Sequence, residues 1–144
     1  MLRQTAEQFL PAAGEKGIAI NLDLQPGFIR ADGKRLKQVF INLLSNAVNY
    51  TDRGSVTVRS RRREGDAGEG ARWEITVADT GMGIPAEDLP RVFERFYRSD
   101  KSRSRRTGGS GVGLAIAAAI VKAQGGELTA EREHGRGSLF RVAM

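Results

Sequence analysis

Three groups of residues have types and spacings that can do chemistry. Gln38, Asn42 and Asn46 recur every four residues, with Asn49 and Tyr50 just beyond, so on a helix they form one polar stripe. An asparagine amide offers an oxygen that can ligate a hard cation such as Mg²⁺ and an NH₂ that can donate to phosphate oxygens. Asp79 heads the run Asp79-Thr80-Gly81-Met82-Gly83-Ile84, directly after the apolar-rich stretch Ile75-Thr76-Val77-Ala78. A carboxylate at a strand end can accept from an exocyclic amine, and Gly81 and Gly83 let backbone approach a flat ring. The third group, Gly108-Gly109-Ser110-Gly111-Val112-Gly113-Leu114, leads straight into a helical pattern. Free backbone N–H groups and the positive dipole end at a helix start make a phosphate cradle, to which Ser110 can add a hydroxyl donor. This is not a Walker A loop, because no Gly-Lys-Ser/Thr follows, and not a Rossmann fingerprint, because no βαβ unit surrounds it. Taken singly, each group has an ordinary explanation: exposed asparagines, a strand-end turn, a hinge before a helix.

The elements that must position these groups follow from periodicity. Asp32 is a good N-cap, and Leu36, Val39, Phe40, Leu43, Leu44, Ala47 and Val48 then repeat at three- and four-residue intervals, which predicts a long amphipathic helix to about Tyr50. A second long helix is expected over 111–124, with Val112, Ile116, Ala119, Ile120 and Ala123 on one face and Gly125-Gly126 ending it. Leu2, Ala6, Phe9 and Leu10 predict a short helix that Pro11 and Gly14 close. Alternation predicts a short strand pair over 18–24 and 28–31 around Pro26-Gly27, a hairpin over 55–63 and 71–78, and two closing strands over 127–133 and 138–143. Pro85 and Pro90 start short helical turns through about Leu89 and Phe96, and 99–109 reads as a polar, basic loop. Strands in a block with helices interposed indicate an α+β two-layer sandwich.

The chain has 144 residues, 40% hydrophobic and 28% charged, which suits one globular domain with no internal boundary. With no cysteine, disulfides, thiolate metal sites and thiol catalysis are excluded. No apolar run reaches the roughly 18 to 20 residues of a membrane span, and the first residues lack signal-peptide order. The net charge of +6 is concentrated in Arg59 with Arg61, Arg62 and Arg63, and again between Arg91 and Arg106. Such clusters attract polyanions, although a solvated basic face accounts for the first of them.

Order and spacing together raise the three groups above their ordinary explanations. Phe40-Ile41-Asn42-Leu43-Leu44-Ser45-Asn46-Ala47 resembles the asparagine box of the gyrase–Hsp90–histidine kinase–MutL superfamily, and Asp79-Thr80-Gly81-Met82-Gly83-Ile84 its first glycine box. Val92-Phe93-Glu94-Arg95-Phe96-Tyr97-Arg98 looks like its phenylalanine box, which points to sensor histidine kinases, and Gly109-Ser110-Gly111-Val112-Gly113-Leu114 like its second glycine box. The resemblance implies a Bergerat-type sandwich. Its mixed, mostly antiparallel sheet would have about five strands besides the N-terminal strand pair, with about three helices on one face. It implies the cofactors ATP and Mg²⁺, with Asn42 as metal ligand, Asn46 on phosphate, Asp79 reading the adenine amino group and Tyr50 against the ring. Gly81, Gly83 and Ile84 would border the nucleotide, and Gly109, Ser110, Gly111, Val112, Gly113 and Leu114 would hold its phosphates. Asn49 and Tyr97 would also touch the ligand, and Lys101 and the arginines of 99–108 are candidate phosphate ligands in a lid.

Two departures from the family pattern bear on mechanism. Relatives that hydrolyse ATP carry a Glu one turn before the magnesium Asn; here Gln38 stands there and cannot act as a base, so efficient hydrolysis is not expected. Asn49 occupies a place where many histidine kinases have a lysine. The sole histidine, His134, falls in a glycine turn and reads as incidental, and the histidine-bearing dimerisation helices are absent. The resemblance therefore implies a catalytic domain that phosphorylates a dimerisation domain of the same kinase and a response regulator indirectly, as a monomer when isolated. It further implies a cytoplasmic domain of a membrane-anchored sensor, with no nucleic-acid partner. Phe93, Phe96 and Tyr97 read mainly as packing, with a docking surface for those helices as the other option. Competing readings are an anti-sigma-factor serine kinase, against which the phenylalanine box argues, a nucleotide sensor without phosphotransfer, and a basic nucleic-acid module with steep salt dependence.

Overall fold

A computed structural model of the chain describes residues 2–27, 31–51, 53–64, 72–81, 89, 91–94, 113–132 and 137–144, the Tyr50 side chain excepted. Five strands form one sheet in the order β1-β2-β3-β5-β4, from β1 Ala19–Leu24, β2 Ser55–Arg63, β3 Arg72–Asp79, β4 Glu127–Arg132 and β5 Ser138–Ala143. The β1–β2 pair is parallel and the other three pairs are antiparallel. A parallel pair needs a long crossover, and the helix α3, Gly33–Tyr50, lies between these two strands in the chain. The first strand of the expected N-terminal pair is thus an edge of the main sheet; 28–30, most of its proposed partner, lie outside the described residues.

Alternation sorts the sheet into two faces. Val56, Val58, Ile75, Val77, Phe140 and Val142 are buried beneath helices, together with Leu128 from β4. The opposite face carries Arg59, Arg61, Glu74 and Arg141. There Asp23 of β1 pairs with Arg59 and Arg61 of β2, Glu74 of β3 with Arg63 and Arg141, and Arg141 of β5 with Glu131 of β4.

The helix α3 is where local signals agree best. Asp32 Oδ1 accepts from the backbone N–H of Lys34 at 3.0 Å and Arg35 at 3.2 Å, satisfying two N-terminal donors. All seven stripe residues from Leu36 to Val48 are buried, none more than 3% exposed. At the other end the Lys16 ammonium donates to the carbonyls of Val48 (2.8 Å) and Asn49 (3.3 Å), where a cation suits the helix dipole.

The N-terminal segment departs from the expected single helix. It forms α1, Leu2–Glu7, and α2, Leu10–Lys16. Pro11 cannot donate to a carbonyl one turn back, so it interrupts the first helix, yet it fits the first turn of the next. The true terminator is Gly17 rather than Gly14: its φ of 72° gives the left-handed turn in which its N–H meets the carbonyls of Ala13 and Gly14.

The last helix, α4, spans Gly113–Ala123. Its buried face is Ala117, Ile120 and Val121, with Leu114 packed against the core, while Ile116 is 46% exposed and Ala119 and Ala123 face outward. The expected stripe through Ile116, Ala119 and Ala123 is therefore rotated. Almost every residue here is apolar, so periodicity left the phase undetermined and packing on α3 and β4 set it.

Candidate functional site

Asp79 closes β3 and is 2% exposed. A buried carboxylate is costly unless hydrogen-bonded, and this one is held from two sides. Ser138 Oγ donates to Oδ2 at 2.7 Å and the Gly81 N–H donates to Oδ1 at 3.0 Å. Ser138 is itself buried and stands directly opposite Asp79 in the β3–β5 register. These bonds fix its orientation.

Two glycines permit this tight corner. Gly137 (φ 86°) precedes Ser138, and a Cβ there would overlap the Asp79 carbonyl oxygen. Gly54 (φ 110°) lies just before β2, and a Cβ there would overlap the Thr80 hydroxyl. Thr80 Oγ1 instead accepts from the Ser55 N–H at 3.0 Å, and the Thr80 N–H donates to the Ser55 carbonyl at 3.1 Å. The chain leaving α3 at Thr51 is in this way tied to the end of β3. Thr51 is fully buried, and its hydroxyl has no hydrogen-bond partner among the described residues.

Asn42 joins the first and third groups of sequence candidates. Its Nδ2 donates to the Gly113 carbonyl, the first residue of α4, at 2.9 Å, and its Oδ1 accepts from Gln38 Nε2 at 2.8 Å. The asparagine helix and the glycine-run helix are thus bridged through one side chain. Asn46 is half-buried and makes no side-chain hydrogen bond among the described residues. Asn49 is exposed and its Nδ2 lies 3.5 Å from Ser45 Oγ.

Of the remaining candidates, Gly81, Gly113 and Leu114 are placed as above, and Tyr50 ends α3. Gly83, Ile84, Tyr97, Lys101, Gly109, Ser110, Gly111 and Val112 lie outside the described residues, as do Phe96 and His134. Phe93 packs edge-on against Phe140, with ring centroids 6.2 Å apart, in accord with a packing role for that residue. Ser138 and Thr80 were missed as supporting residues. The available signal was a Gly-Ser step opening a strand that could lie beside Asp79, which says nothing until the strands are paired.

A cavity of about 380 Å³ lies at the opposite end of β3, between Trp73, Leu24, Leu36, Phe40 and Leu2, away from these groups. Among the described residues no three His, Cys, Asp or Glu side chains are grouped to hold a metal, and no helix is long and apolar enough to cross a membrane. The oxygen donor that fits a hard cation is the neutral Asn42 amide. Mg²⁺ typically takes few protein ligands and completes its shell with substrate phosphates and water, so this donor suits a cation that arrives with a nucleotide.

Residues 31–144 match the family described as histidine kinase-, DNA gyrase B- and HSP90-like ATPase. The chain is 44% identical over 135 residues to the sensor-like histidine kinase SenX3 of Mycobacterium tuberculosis (strain ATCC 25618 / H37Rv), an alignment covering 92% of this chain and 32% of SenX3. It is 38% identical over 136 residues to the aerobic respiration control sensor protein ArcB of Escherichia coli (strain K12), covering 92% of this chain and 17% of ArcB. Full-length ShkA in complex with AMPPNP matches the fold with a TM-score of 0.79 at 35% identity, over 99% of this chain and 28% of that one. The mycobacterial sensor histidine kinase MprB matches with a TM-score of 0.79 at 26% identity, over 99% and 92%. The chain belongs to the histidine kinase-, DNA gyrase B- and HSP90-like ATPases. More narrowly, it is a catalytic ATP-binding domain of the sensor histidine kinase kind, and it spans less than a third of SenX3 and of ArcB.

Proposed function

We propose that this domain binds Mg²⁺-ATP and donates the γ-phosphoryl group to a histidine on a separate dimerisation-helix domain of the same kinase, which then serves a response regulator. The observation that carries the reading is the buried, doubly held Asp79 at the end of β3, an acceptor kept in one orientation by Ser138 and Gly81. A pre-oriented carboxylate suits recognition of the adenine amino group, since it pays no reorganisation when the ring arrives.

By the family resemblance, Tyr50 would lie against the adenine, bordered by Gly81, Gly83 and Ile84. Asn42 would supply an oxygen to Mg²⁺ and Asn46 would contact phosphate, while Asn49 would border the ligand where many histidine kinases have a lysine, leaving that phosphate contact to the lid. By the same resemblance, the run Gly109, Ser110, Gly111, Val112, Gly113 and Leu114 would cradle the phosphates, with Tyr97 and Lys101 contributing from the lid. When bound, Mg²⁺ would supply charge neutralisation to the phosphates; the chain's own residues would position and orient the nucleotide. Gln38 offers no base for water attack, and transfer to an outside nucleophile asks for positioning and charge stabilisation rather than deprotonation by this domain. Residues 1–144 by themselves are expected to bind nucleotide as a monomer and not to phosphorylate themselves. It would work on the cytoplasmic side of a membrane-anchored sensor.

Nucleic acid is not among the proposed partners, because Arg59, Arg61 and Arg63 of the first basic cluster are each paired with Asp23 or Glu74 on the sheet. The test is calorimetric titration of ADP and a non-hydrolysable ATP analogue, with Mg²⁺, into the wild type and Asp79→Asn. A hydrogen bond to a charged group is worth about 1.5–3 kcal/mol, so the substitution should weaken binding by roughly 10- to 150-fold. A folded wild type that binds neither ligand overturns the proposal.

A further inference from the structure

Gln38 belongs to the polar stripe of α3. It is exposed one turn before Asn42, and its Nε2 donates to Asn42 Oδ1 at 2.8 Å. The other half of that amide is committed as well, since Asn42 Nδ2 donates to the Gly113 carbonyl at 2.9 Å. An asparagine amide can turn over to exchange its oxygen and nitrogen, and its neighbours decide which is presented where. The Gly113 carbonyl can only accept and so requires the Asn42 NH₂; Gln38, whose own amide offers either end, meets the oxygen this leaves with its NH₂.

We propose that Gln38 is a positioning residue for magnesium: through its Nε2–H it holds the Asn42 amide with the oxygen turned away from α4, pre-setting the one protein oxygen expected on the cation. An amide oxygen has two lone pairs, so donation from Gln38 occupies one and leaves the second for the metal. The same bond keeps Asn42 bridged to the first residue of α4, so the metal position and the start of the glycine-run helix are set together. A glutamate at 38 accepts only and cannot donate to Asn42 Oδ1. Glutamine therefore has a function of its own here, beyond lacking a base. This inference rests on the nucleotide reading above.

The experiment measures the metal increment of nucleotide affinity, namely the Kd for ADP in EDTA divided by that in saturating Mg²⁺, in the wild type, Gln38→Met and Gln38→Leu. Both replacements are good helix formers at an exposed position and lack the donor. Loss of one ordinary hydrogen bond is worth about fivefold. We expect both variants to lose about that factor from the metal increment while their affinity for ADP in EDTA stays within about twofold of wild type. Unchanged increments in both variants overturn the positioning role, as does an equal loss with and without metal, which would mark a merely structural residue. Wild type that binds no nucleotide under either condition overturns the nucleotide reading, and this inference with it.

Discussion

Asp79 illustrates how a site can be built from groups far apart in sequence. Its carboxylate is buried at the end of β3, and Ser138, 59 residues on, holds Oδ2 while the neighbouring Gly81 N–H holds Oδ1. Removing the hydroxyl leaves a buried charge short of one donor, which costs about 1–3 kcal/mol. Ser138→Ala should therefore lower stability by about that amount in urea denaturation and weaken ADP binding less than Asp79→Asn does, because the acceptor survives but loses its fixed orientation. A Ser138→Ala protein that binds ADP as weakly as Asp79→Asn would show that the hydroxyl itself, rather than the carboxylate, meets the ligand.

At the scale of elements, α3 supplies the asparagine stripe and depends on its ends as well as its buried face. Asp32 satisfies two N–H groups at the start and Lys16 two carbonyls at the finish. Asp32→Ala removes the cap and should cost about 1 kcal/mol, read as a lower urea midpoint with an unchanged slope. Asn42 lies more than two turns from this cap on a helix whose buried face is intact, so the affinity for Mg²⁺-ADP should stay within about twofold of wild type. A large loss of affinity would mean that fraying at Asp32 reaches the asparagines.

The whole molecule is a two-layer structure in which the two faces of one sheet have different duties. Phe140 and Arg141 are sequence neighbours on opposite faces: Phe140 is fully buried and meets Phe93, whereas Arg141 bridges Glu74 and Glu131 at the surface. Surface ion pairs contribute about 0–1 kcal/mol, while truncating a buried phenylalanine costs about 3–5 kcal/mol. Denaturation of Phe140→Ala and Arg141→Ala should reproduce that gap. Comparable losses would mean that the ion pairs running across the five strands act as one cooperative network instead of separate surface contacts.

What the sequence by itself determined was whatever is encoded within a short window. The Asp32 cap and the seven apolar positions of α3 specify that helix locally, and the order of the asparagine, aspartate and glycine groups carried the family resemblance before any strand was paired. Pro11 was legible as an interruption but not as the start of a second helix, because one proline can end a helix or open one and neighbouring packing chooses. The rest required tertiary structure. The phase of α4 could not be read from a helix apolar on nearly every side, and only contact with α3 and the sheet turned Ile116 outward. Nothing local states that β1 runs parallel to β2, since pairing direction depends on a crossover rather than on either strand. Ser138 likewise had no recognisable role until the β5–β3 register set it opposite Asp79: a hydrogen bond across 59 residues is a property of the folded sheet, and no sequence window contains both partners.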